Sequence, residues 1–209
     1  MSLFLGKIHY WLYNKIIWAE KAEEEIIQWA KTNGLPVEQW VQQGIETYGK
    51  PTGNEVLEEV IDTSNIHGWL QERIKSAELR QAALITHIIA EKENYKEDLI
   101  QIFKAQGKEA ALAYTEQPDT PEGLYNAVHD FVLEGMPCDR ASAVLSNDPN
   151  EISWEITTCL HAPYWEQVQG DVKNFYDLRE AWVSSFIETL NSHFKYSKST
   201  DGTHRIIRS

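Results

Sequence analysis

The sequence predicts an α+β protein, with a helical region over residues 1–115 and a mixed region over 116–209. Apolar residues recur at three- and four-residue steps through most of the first 115 positions. Strict two-residue alternation appears only later, in Ile152, Trp154 and Ile156 against Ser153, Glu155 and Thr157. Between the two patterns lies a proline-containing joint, residues 115–120 leading into Pro121.

The first helix is expected over about residues 3–31. Leu5, Ile8, Leu12, Ala19, Ile26 and Ala30 share one side, and Trp11, Trp18, Ala22 and Trp29 line the neighbouring stripe. Asn33-Gly34 stops it, glycine being suited to a left-handed cap. A short helix follows Pro36, with Val37, Trp40, Val41, Ile45 and Tyr48 inward. Asn54 caps a further short helix over 55–62. A long helix is expected over 66–92, with Leu70, Ile74, Ala77, Leu84 and Ile88 inward, and another over 95–114. Ile8-His9-Tyr10-Trp11-Leu12 echoes Ile66-His67-Gly68-Trp69-Leu70, both near helix starts, too short a match for a repeat architecture.

Thr120 before Pro121 reads as the start of a helix to about Glu134, with a capping hydroxyl and a proline that costs no N–H. Ser142–Leu145 and Glu151–Cys159 read as a hairpin, then a helix over 171–191. A second hairpin turns at Asp201-Gly202. An antiparallel sheet of two hairpins, covered by helices, is the natural packing.

The formal charge is −13, and both regions are acidic, with 12 basic and 17 acidic residues in 1–115 against 7 and 15 in 116–209. A nucleic-acid surface needs a basic patch to release counterions, so neither nucleic acid nor an anionic membrane is an expected partner. No apolar run is long enough to span a bilayer. The opening Met1–Lys7 lacks a basic segment followed by a long apolar stretch, so no signal peptide is expected. Two cysteines, Cys138 and Cys159, do not make a secreted disulfide framework, and the cytoplasm is the expected compartment.

The strongest chemical constellation is Cys159-Leu160-His161. If the second strand runs on through it, Glu155, Thr157, Cys159 and His161 share the face opposite Ile152, Trp154 and Ile156. Thiolate and imidazole together suit zinc or another transition metal. The same pair could instead act as nucleophile and base. A closed metal site needs more ligands, and His204 and Cys138 are the candidates, with Asp139 or His129 as substitutes. Trp154, Tyr164 and Trp165 would wall an apolar pocket beside Glu155 and Thr157. The run Glu20–Glu25 reads as a solvated helix face. No glycine-rich phosphate loop, G-x-S-x-G elbow or H-E-x-x-H motif is present.

Two segments, Thr158-Cys159-Leu160-His161-Ala162-Pro163-Tyr164 and Asp201-Gly202-Thr203-His204, carry a resemblance over about the last 90 residues. The helical region followed by hairpin, helix and hairpin resembles small-molecule-binding α+β proteins of the vinyl-reductase type. It also resembles the L-2-amino-thiazoline-4-carboxylic acid hydrolase family. Those proteins carry a strand-end cysteine before a proline-containing stretch, and a second cysteine where His204 stands here. The resemblance implies a ligand-binding sheet with Cys159 in its wall.

Three functions fit these residues. One is a small-molecule-binding protein, a hydrolase if Cys159 and His161 act as nucleophile and base. Another is a non-catalytic module sensing a metal or ligand. The last is a helical interaction protein that forms a homodimer through the Trp11–Trp18–Trp29 stripe.

Overall fold

The computed structural model describes residues 5–209, so the expected helix start at residue 3 lies outside the described residues. The chain forms α1 (Lys7–Thr32), α2 (Val37–Tyr48), α3 (Leu57–Val60), α4 (Ile66–Glu91), α5 (Tyr95–Ala113) and α6 (Pro121–His129). It continues through β1 (Ser142–Asn147), β2 (Glu151–Ile156), α7 (Ala162–Gln167), α8 (Val172–Leu190), β3 (Phe194–Lys198) and β4 (His204–Arg208). The α+β class is as the sequence predicts, with one antiparallel sheet in the order β1-β2-β4-β3. No helix among the described residues is long and apolar enough to cross a membrane.

Local chemistry accounts for the boundaries. Gly34 takes φ +73° just beyond α1, where a side chain would be strained. The Asn65 side chain accepts the Gly68 N–H at the start of α4, and Thr120 accepts the Gly123 N–H at the start of α6. At the tip of the first hairpin Asp148 accepts the Asn150 and Glu151 amides. At the second, Gly202 has φ +88°.

Three boundaries depart from the sequence expectation. The helix expected over 55–62 is a single turn, Leu57–Val60. The helix from Pro121 ends at His129 rather than near Glu134. The strand expected to reach Cys159 ends at Ile156. The Thr157 amide still meets the Ala141 carbonyl in register, at 2.8 Å, but the Thr158 amide turns to that same carbonyl, at 3.2 Å, and the alternation is lost there. His161 has helical φ and ψ, −89° and −30°, at the N-cap of α7, with proline in the first turn.

The contacts divide the chain into two compact units. One comprises residues up to Tyr95 together with Val132–Met136 and His161–Val172. In it α1 and α4 run parallel. His9 meets His67 near the two N-termini, with ring centroids 5.7 Å apart, and Glu20 and Glu23 meet Arg80 further along. The spacing of the echoed Ile-His-x-Trp-Leu segments is therefore the register of the pair. Each segment also sets a cation over its tryptophan one turn on, Lys15 over Trp11 and Arg73 over Trp69. Leu12, Ile16, Leu70, Ile74 and Ala77 form the core between them, with Leu133 added from the 132–136 segment. Trp29 meets Tyr95 edge-on at 5.1 Å, so part of the tryptophan stripe is used within the chain.

The other unit comprises Lys96–Phe131, Pro137–Leu160 and Lys173–Ser209. Here α5 and α8 cross at very short range around Gly107 and Trp182. A Cβ on Gly107 would lie 2.4 Å from the Trp182 carbonyl oxygen. The Trp182 indole donates to Gln106 at 3.0 Å, and Lys96 pairs with Asp177 at 2.5 Å. Ile152, Phe194 and Ile206 fill the inner face of the sheet.

Candidate functional site

The sequence-predicted residues divide between the two units, with His161, Tyr164 and Trp165 in the first and Cys138, Trp154, Glu155, Thr157, Cys159 and His204 in the second. Trp154 is buried on β2, stacked on His204 at 5.3 Å and edge-on to Tyr125 at 5.1 Å. His204 shares that inner face, and its Nδ1 lies 2.7 Å from the Tyr196 hydroxyl. Glu155 and Thr157 are exposed, and the Thr157 hydroxyl donates to the Arg140 carbonyl at 3.2 Å. Cys138 is exposed in a short 3-10 turn, Cys159 is half-buried past the end of β2, and both are free thiols. The Cys159 Sγ accepts a hydrogen bond from the Tyr176 hydroxyl at 2.9 Å. Tyr164 and Trp165 stand on α7, and Trp165 is 1% exposed in the core of the first unit. Strand parity cannot align Cys159 with His161, since neither lies in a strand. Among the described residues no three His, Cys, Asp or Glu side chains converge to hold a metal, so Cys138, Cys159, His161 and His204 do not form the expected ligand set.

His161 belongs to a different cluster, wholly inside the first unit. Its ring is 1% exposed, with Nδ1 3.0 Å from Glu78 Oε2 on α4 and Nε2 3.1 Å from Glu134 Oε1. Burial alone would lower its pKa. The Glu78 charge and the hydrogen bonds to Glu134 and Glu78 outweigh that and raise it to about 9. A ring protonated at neutral pH, with both nitrogens donating to carboxylates, is a fixed cation rather than a general base. This ion pairing ties α4, the 132–136 segment and α7 together.

A second buried network lies on the other side of α4. The Arg80 side chain is 2% exposed and uses every face of its guanidinium. Nε donates to both Glu23 oxygens at 3.0 and 3.1 Å, and Nη2 to Glu20 at 2.9 Å. Nη1 donates to Ser76 at 2.6 Å and to the Gly49 carbonyl at 3.2 Å. Glu20 in turn accepts the Thr52 amide, at 2.9 Å to each oxygen, and the Gly53 amide at 3.3 Å. Burial raises the Glu23 pKa, Arg80 works against that rise, and the neighbouring Glu20 charge adds to it. The network fixes residues 49–53 against α1 and α4.

In front of it opens a cleft of about 470 Å³, lined by Ile17, Glu20, Lys21, Glu23, Glu24 and Ile27 of α1, by Val41 and Ile45 of α2, and by Pro51, Gly53 and Asn54. That size falls within the range of small-molecule sites. Ile17, Glu20, Lys21, Glu24 and Ile27 follow steps of three and four, so one stripe of α1 forms a wall about 15 Å long. Two apolar residues of α2 face it.

The sequence carried a signal for part of this. Glu23 stands seven residues from both Ile16 and Ala30, which are fully buried, so the periodicity puts one carboxylate of the Glu20–Glu25 run on the core side. The expectation of a wholly solvated face is corrected there: Glu24 is exposed, while Glu23 is 6% exposed. Glu78 and Arg80 likewise sit among Ala77, Leu79 and Ala82 in a stretch that reads as core. No protein-family model, curated protein or solved structure matches the chain.

Proposed function

We propose that this is a small-molecule-binding protein whose site is the cleft between α1, α2 and residues 51–54. The carrying observation is the combination of apolar walls, Ile17, Ile27, Val41, Ile45 and Pro51, with a rim held by a fully engaged buried arginine. A cleft whose polar groups are already positioned loses little conformational entropy when a ligand enters. The same cleft fits the small-molecule half of the sequence expectation and moves it from the sheet to the helical unit.

The test uses the full chain and the neutral fluorescent probe N-phenyl-1-naphthylamine. Saturable one-to-one enhancement is expected. Val41→Trp, which fills the cleft, should weaken binding at least tenfold, whereas Val41→Ala should retain it. Absence of saturable binding, or equal affinity in Val41→Trp with unchanged circular dichroism, rejects the cleft as the site.

A further inference from the structure

We infer that the cleft selects organic cations, specifically a protonated amine on a short apolar chain. The inference rests on the cleft being a ligand site and concerns which chemistry it accepts. Three carboxylates line the cleft, Glu20, Glu23 and Glu24, against one ammonium, Lys21. Arg80 is the cation behind the wall, and its Nη2 is shared between Glu20 and Glu23. Lys21 holds its ammonium 4.9 Å over the Trp18 ring. The lining with Arg80 included therefore keeps one negative charge in excess. Glu24 has no hydrogen-bond or ion-pair partner among the described residues.

Apolar contacts bracket that carboxylate. Ile27 lies one turn beyond Glu24 on the same stripe and Ile17 two turns before it, with Val41 and Ile45 opposite. An alkyl chain of about six carbons, roughly 8 Å extended, fits along the 15 Å wall with its ammonium at Glu24. An anion would meet the excess negative charge, and a neutral alcohol would gain the apolar contact without the ion pair. Glu20 and Glu23 are poor partners for an incoming cation, because their oxygens already accept from Arg80, and Glu20 also from Thr52 and Gly53.

Displacement of bound N-phenyl-1-naphthylamine separates the possibilities. Hexylammonium, hexan-1-ol and hexanoate are titrated against the probe complex at low salt. Hexylammonium is expected to compete about two- to fivefold better than the alcohol, the scale of one partly exposed ion pair, with hexanoate weakest. Glu24→Gln, an exposed substitution that leaves the core untouched, should reduce that preference to near unity, with each competitor referred to the variant's own probe affinity. Equal competition by alcohol and ammonium, or preference for hexanoate, overturns the cation inference while the cleft remains a site. A preference that survives Glu24→Gln also overturns the role given to Glu24. Failure of the probe itself to bind rejects the cleft, and the cation inference with it.

Discussion

Replacing His161 by glutamine tests whether the Glu78–His161–Glu134 cluster holds the first unit together as an ion pair. The side chain is 1% exposed and Glu78 is 7% exposed, so removing the cation leaves a carboxylate buried without its counter-charge. Such losses cost about 3–5 kcal/mol. The pH dependence is more specific. Moving the histidine pKa from 6.5 unfolded to about 9 folded corresponds to about 3 kcal/mol. Because the folded value is the higher one, this stability is fully present below about pH 6.5 and is lost as pH rises through about 9. Urea unfolding of the wild-type chain and of His161→Gln, followed by circular dichroism at pH 7 and 9.5, measures it. Between those values the wild-type chain should lose about 2–3 kcal/mol more than the variant, since the thiols, tyrosines and lysines titrate in both. Parallel pH profiles would refute the assignment of a charged, ion-paired imidazole.

Other perturbations follow from the same geometry. Arg80→Ala strands Glu20 and Glu23 and should cost about 3–5 kcal/mol. It should also speed hydrogen exchange at the Thr52 and Gly53 amides, which Glu20 holds; unchanged protection there would contradict the anchoring role. Gly107→Ala gains about 1 kcal/mol of helix propensity but drives a methyl against the Trp182 carbonyl. A net loss of about 1–3 kcal/mol is expected in chemical denaturation, and a stabilised variant would show that α5 and α8 separate freely. Thr120→Ala removes the cap on α6 and should cost about 1 kcal/mol by the same assay, with Thr120→Asn close to neutral.

Much of the fold was legible because its determinants are local. Helical periodicity, the Asn33-Gly34 stop, the Thr120-Pro121 start and the Asp201-Gly202 turn each act within a few residues. Each appears where sequence expectation put it. The α+β class follows from the change of period alone. The echo of His9-Tyr10-Trp11 in His67-Gly68-Trp69 gains its meaning only from packing, which sets the two helix starts side by side.

The candidate site was not legible in the same way, and the reason is physical. Alternation along 152–157 says which face a strand residue takes, but not that the Thr158 amide turns to the Ala141 carbonyl already used by Thr157 and the strand ends there. Once it ends, parity no longer relates Cys159 to His161, and His161 enters α7 instead. Its partners, Glu78 and Glu134, lie 83 and 27 residues away, a pairing that only chain packing creates. The sequence by itself determined the elements, their caps and the composition of the acidic run on α1. The tertiary structure decided which carboxylates are buried beside Arg80 or His161 and which, like Glu24, are left facing a cleft, because burial and charge pairing depend on neighbours distant along the chain.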